Sequence, residues 1–212
     1  MFKKLFNPDN SLMITMTWVT DCIFLSLFWL LGCIPVVTMG ASFAALYDAT
    51  YRGFRKKEKN SWQRFLQVYR ENWKASIGPG LVFAVAVCCL GKILIALWNG
   101  AVAGSISWMA FSGGTFVGVL VLGVLSILFP MLSRFENSFA ALLKNTAFMG
   151  FANLPRTIAL GLLNGATVLL CFRFVAVSFF MPALAALIGS LFIEPMFRPY
   201  MPKEETDEEA AL

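Results

Sequence analysis

Histidine is absent from this chain, and charge is scarce: Asp, Glu, Lys and Arg together make up 14% of its 212 residues. Without histidine there is no ready general base near neutral pH, no usual nitrogen ligand for zinc and no histidine-dependent triad. The five cysteines, Cys22, Cys33, Cys88, Cys89 and Cys171, sit inside apolar stretches with no CxxC or Cys–His spacing. They read as small buried apolar residues rather than as metal or redox sites. No Walker loop, HExxH or GxSxG occurs, and "SGGTFVG" lacks the lysine of a phosphate loop. The carboxylates are isolated, with no base–nucleophile pair, so no catalytic residue, metal or cofactor is expected and the chain does not read as an enzyme. So little charge also excludes an ordinary soluble domain, whose surface must face water.

What is present is apolar: 58% hydrophobic residues, with 21 Phe and six Trp spread along the length, and a mean hydropathy of +0.73. The apolar runs are continuous and lack period-two alternation, which favours helices over a barrel. The expected fold is all-α, an integral membrane helical bundle of about six transmembrane helices with two cytoplasmic amphipathic helices. Residues 1–202 form one transmembrane domain on this reading. From Leu12 to Tyr47 the only charge is Asp21. As one helix that run would be about 54 Å long, against a hydrocarbon core of about 30 Å. Pro35 divides it, because a proline ring removes a backbone donor and clashes with the turn before it. The crossings then fall at about 12–34, 35–51, 76–98, 106–132, 157–175 and 177–197. Ser112-Gly113-Gly114 is a place where the fourth could be interrupted, and Pro195 and Pro199 are expected to end the last. Leu30-Leu31-Gly32-Cys33 resembles a lipoprotein cleavage site, but the apolar run before it is too long, contains Asp21 and leads into another membrane segment. No cleaved signal peptide is expected.

Basic residues set the sidedness. Arg52–Lys74 carries eight Lys and Arg against Glu58 and Glu71, and such a loop stays cytoplasmic. Placing both termini in the cytoplasm puts every Lys and Arg there except Lys92 and Arg173. Within the two cytoplasmic segments, 61–75 and 137–149 each follow Asn-Ser with an aromatic residue, a hint of a repeated unit. In the first, Trp62, Phe65, Leu66, Tyr69 and Trp73 share one helical face, Ser61 is placed to cap it, and Gln63, Arg64, Gln67, Arg70 and Lys74 face the other way. Such a helix either lies in the headgroup layer, with Trp62, Tyr69 and Trp73 toward the membrane and Arg64, Arg70 and Lys74 toward anionic lipid, or packs against the inner ends of the bundle. Residues 203–212 are an acidic tail, expected to be disordered.

Charges within a bilayer each need a reason. Asp48 and Arg52 are an i, i+4 pair, expected to be a structural anchor; Glu194 and Arg198 share that spacing. Asp21, Lys92, Arg173 and the amide of Asn164 are the candidates for a solute-facing role, although local structural roles are the simpler expectation, and the two cations can snorkel to the surface. Small residues concern packing. Gly114 with Gly118, and Gly161 with Gly165, allow helices to approach closely inside the bundle or between copies, which leaves a homo-oligomer open. Gly40-Ala41-Ser42 gives the second crossing a similarly smooth face.

The opening "FKKLFNPDN", the run "TDCIFLSLFWLLGCIPVVTMGASFAALY", the basic loop and the "NWK" helix together resemble the YesL family of bacterial membrane proteins. The specific part is "PVVTMGAS", with Pro35, Thr38, Gly40 and Ser42. The resemblance implies a multi-pass protein of the cell membrane, of unknown molecular function, often encoded beside carbohydrate ABC transporters. It implies a role in sugar uptake or its regulation, with transporter subunits as possible partners, and supplies no catalytic residue. Two functions follow as expectations. One is a non-catalytic accessory or regulatory membrane protein linked to oligosaccharide uptake, in contact with anionic lipids of the cytoplasmic leaflet and with no nucleic-acid partner. The other is a small transporter or channel with a path lined by Asp21, Lys92 and Arg173.

Overall fold

The computed structural model describes residues 11–56, 60–135 and 138–201. Eight α-helices and no strand occur among the described residues. They are α1 (Ser11–Cys33), α2 (Met39–Thr50), α3 (Ser61–Asn72), α4 (Ile77–Val102), α5 (Trp108–Arg134), α6 (Phe139–Ala152), α7 (Leu154–Arg173) and α8 (Met181–Phe197). Five are long and apolar enough to cross a membrane: α1 from Met16, α4, α5, α7, and α8 with the turn after it to Tyr200. The acidic tail and the start of the 137–149 segment lie outside the described residues.

The reversal at Pro35 is built from its neighbours. Pro35 is extended (φ −79°, ψ 116°) and leads into a 3₁₀ turn over Val36–Thr38. The Thr38 hydroxyl lies 3.0 Å from the carbonyl oxygen of Gly32 and 3.1 Å from that of Pro35. One donor thus serves the end of α1 and the turn together, where helix-end carbonyls lack intrahelical partners. Beyond the turn α2 runs back along α1, as Trp29 packs on Phe43 and Trp18 on Phe54.

The expected second crossing is the centre of the fold rather than one more peripheral span. α2 has only twelve residues, continued by a five-residue π-helical turn over Tyr51–Arg55, about 25 Å in all. From Gly40 to Tyr51 every residue but Phe43 is buried. Lipid tails are as apolar as leucine, so helices in a membrane gain little from hiding apolar surface; they hold by close contact and polar bonds. The small residues of α2 permit that contact: Ala41, Ala44, Ala45 and Ala49 are fully buried, and a Cβ on Gly40 would come within 2.7 Å of the Ser76 carbonyl oxygen.

α3 folds back along α2, with Ser61 against Gly53 and Arg64 against Asp48, and Ser76, at the start of α4, packs against Gly40. Phe65 and Val68 are buried, and Phe65 stacks on Phe28 of α1 at 5.9 Å. Of the two arrangements open for this amphipathic helix, it takes packing on the bundle, while leaving Trp62 and Trp73 about half exposed. Ser61 does not cap it. Asn60 stands at that position in the left-handed region (φ 70°) with no side-chain bond to the helix, a conformation that asparagine tolerates better than most residues. α6 repeats the fold-back against α5, with the Thr146 hydroxyl 3.6 Å from the Met131 sulfur and Gly150 against Val124. Here Ser138 does cap, accepting from the Ala141 amide at 3.4 Å.

α4 and α5 form an antiparallel hairpin, closed by Trp98, Trp108 and Phe111, whose ring centroids are 5.5–6.0 Å apart. Such aromatic clusters sit at a membrane–water boundary. Ser112-Gly113-Gly114 does not interrupt α5. Pro195 does not end α8, which continues to Phe197; a proline inside a membrane helix is tolerated where neighbours satisfy the freed backbone.

Candidate functional site

Two acids lie at the core of the bundle, and each is clamped between helices. Asp48 on α2 has a fully buried side chain. Its Oδ1 is 3.2 Å from Nε of Arg52 and its Oδ2 is 2.6 Å from Nε of Arg64 on α3. A buried carboxylate costs several kcal/mol to desolvate and stays charged only with such partners. The pair expected from the spacing, Asp48–Arg52, is therefore half of a three-residue cluster. Arg64 departs from its expected place on the polar face of α3 and binds inward. Glu194 on α8 is the second acid: its Oε1 accepts from the Tyr47 hydroxyl at 2.7 Å and from Nη2 of Arg134 at 2.9 Å. Its i, i+4 neighbour Arg198 makes no ion pair with it; Arg134, at the end of α5, takes that role. The guanidinium of Arg134 also lies 4.4 Å above the ring of Tyr51, a cation–π contact. Adjacent residues of α2, Tyr47 and Asp48, thus fasten α8 with α5 on one side and α3 on the other.

Between these clamps and the long helices lies an apolar cavity of about 450 Å³ with walls from α1, α2, α4, α5, α7 and α8. Aromatic walls come from Trp29, Phe43, Phe83 and Phe129. Its few polar groups include Asn164, whose Nδ2 donates to Ser126 Oγ at 3.0 Å and to the Leu160 carbonyl at 2.9 Å. Of the four intramembrane candidates, only Asn164 lines this cavity. Asp21 is half-buried on α1, Lys92 is exposed on α4, and Arg173 is exposed at the end of α7, over the ring of Phe174 at 5.7 Å. The structure does not bring Asp21, Lys92 and Arg173 together around it.

The small-residue motifs divide. Gly161 packs directly on the backbone of Val119, but Gly165 meets nothing. Gly118 lies under Leu90 and Leu94, and Gly114 under Leu97, both within the α4–α5 hairpin. Gly123, which belongs to neither expected motif, carries the second backbone contact between α5 and α7, against Thr157. Ser42 donates to the Thr38 carbonyl at 3.2 Å and sits against Gly32. On α3, Arg70 is exposed, Tyr69 is half-buried against the core, and the Lys74 ammonium is 5.5 Å from the Trp73 ring. Sequence reasoning missed Arg134, Glu194 and Tyr47 as a unit. They are 147 residues apart at the extremes, and no local pattern joins them.

Among the described residues no group of His, Cys, Asp or Glu could hold a metal ion. A family model described as a protein of unknown function, DUF624, matches residues 22–91. That stretch comprises the second half of α1, the Pro35 turn, α2, α3 and the first half of α4, which includes both the reversal and the Asp48 clamp. No curated protein and no solved structure matches the chain.

Proposed function

We propose that this chain is a non-catalytic accessory or regulatory protein of the cell membrane that supports the uptake of carbohydrates. The observation that carries the reading is the use made of the buried charges. Asp48, Glu194, Arg64 and Arg134 are engaged with one another across α2, α3, α5 and α8, as a scaffold requires and as acid–base chemistry on a substrate does not. The link to carbohydrate rests on the likeness of "PVVTMGAS" and its surroundings to the YesL family. With both termini in the cytoplasm, the exposed rings of Trp62 and Trp73 and the cations Arg70 and Lys74, on α3 and the turn after it, would meet anionic headgroups of the inner leaflet. The remaining exposed surface would receive subunits of a carbohydrate ABC transporter.

Deleting the gene and measuring growth on complex oligosaccharides, together with the abundance of transporter subunits in the membrane, tests the reading. Reduced uptake or depleted subunits are expected. Unchanged uptake with unchanged subunit levels would overturn it.

A further inference from the structure

A second hollow, of about 290 Å³, opens where the π-helical turn after α2 meets the end of α8. Arg55, Lys56 and Arg198 converge on it beside Tyr51. Among the described residues these three cations have no carboxylate partner. Asp48 is held by Arg52 and Arg64, Glu71 accepts from Gln67, and Asp21 lies on α1. Glu194, the one carboxylate in the wall, has its charge met by Arg134 at 2.9 Å and the Tyr47 hydroxyl. The hollow therefore carries the charge of three cations, uncompensated by the described acids, in a volume near the lower end of the range for small-ligand sites. Like charges held together repel, and an anion between them removes that repulsion. The local backbone is also unusual: π-helical turns are rare and occur frequently at functional sites. This one delivers Tyr51 and Arg55 to the hollow directly from the buried core.

We infer that this hollow binds an anionic phosphate group. Arginine forks match phosphate oxygens bidentately, and Lys56 adds a point charge from the wall. The site is separate from the exposed face of α3 and holds whether or not the protein serves sugar uptake. The phosphate belongs either to an anionic lipid headgroup or to a small soluble phosphate, and the two sources are separable by experiment.

The full chain, purified in uncharged detergent, is mixed with equal amounts of phosphatidylglycerol and phosphatidylcholine, and the retained lipid is read by native mass spectrometry. In a parallel arm, inorganic phosphate and pyrophosphate are titrated while the thermal midpoint is followed. Preference for phosphatidylglycerol that pyrophosphate does not displace identifies a headgroup. A midpoint raised by phosphate or pyrophosphate alone identifies a soluble ligand. In either case Arg198→Gln should weaken binding about fivefold, and Arg55→Gln with Lys56→Gln by about fivefold for each cation removed. Lys144→Gln, on an exposed cation of α6, should leave it unchanged. If the Gln variants do not fold, Arg55→Lys with Arg198→Lys keeps the charge but removes both forks and should weaken binding; full binding by that folded variant would likewise overturn the inference. Binding of neither anion by the wild-type protein would overturn the inference, as would full binding by the folded Gln variants.

Discussion

Replacing Asp48 by Asn removes the charge at the centre of the bundle while keeping the side chain's shape. In the native protein both carboxylate oxygens receive an arginine Nε, at 3.2 and 2.6 Å. A hydrogen bond to a charged group contributes about 1.5–3 kcal/mol and a neutral one about 0.5–1.5 kcal/mol; Asn keeps one acceptor oxygen, so one bond is lost and the other weakened, at a cost of about 2.5–4.5 kcal/mol. The side chains of Arg52 and Arg64 are 27% and 26% exposed, and each can turn partly to water once released. That relief lowers the expected cost to about 2–4 kcal/mol. For a chain of this size each kcal/mol moves the thermal midpoint by about 2–4 °C, so Asp48→Asn should unfold roughly 5–15 °C below the wild type. Tryptophan fluorescence of the purified protein in mild detergent reads the midpoint. Arg64→Gln added to Asp48→Asn should cost about 1–3 kcal/mol less than the two single changes summed, because the pair acts as a unit. A midpoint for Asp48→Asn within a degree of wild type would refute the clamp. So would strict additivity of the two substitutions.

Three further outcomes follow from the same packing. Glu194→Gln should be more damaging than Asp48→Asn, at about 3–5 kcal/mol, because the Arg134 side chain it abandons is only 5% exposed and has no path to water; thermal melts of the two variants side by side check the order. Gly161→Ala should lower the midpoint, since its Cβ meets the backbone of Val119, whereas Gly165→Ala faces open space and should be neutral or slightly stabilising. Reporters active on only one side of the membrane, fused to each terminus in turn, should both report the cytoplasm; opposite signals would overturn the sidedness.

The readable parts of this fold were those set by local chemistry. Pro35 announces a reversal because a ring without a donor cannot continue a helix, and Thr38 sits where a hydroxyl reaches back to α1. Long apolar runs mark α1, α4, α5 and α7 because lipid tolerates little else. The spacing of Asp48 and Arg52 gives their contact, since residues four apart share a helix face. What stayed hidden depends on tertiary neighbours. In an apolar run, a helix at the centre of a bundle and one facing lipid look alike, so nothing in α2 betrays that it is the hub except its alanines and glycine. Arg64 reads as part of a polar face until α3 is seated on α2. Glu194 reads as the partner of Arg198 until α5 brings Arg134 to it. Pro195 reads as a helix stop, yet α8 runs on through it to Phe197.

The packing of α3 along α2 is the feature on which the bundle depends. In a variant lacking the five native cysteines, Gly53→Cys combined with Ser61→Cys places two thiols where the turn after α2 meets the first residue of α3 and the Cβ atoms approach about 3.1 Å, within a few tenths of an ångström of a disulfide's spacing. Mild oxidation in native membranes should produce the intramolecular disulfide, and Gly53→Cys combined with Gln67→Cys, on the exposed face of α3, should not. A failure of the first pair to cross-link while the protein remains folded, or equal cross-linking of both pairs, would contradict the packing on which every buried contact described above depends.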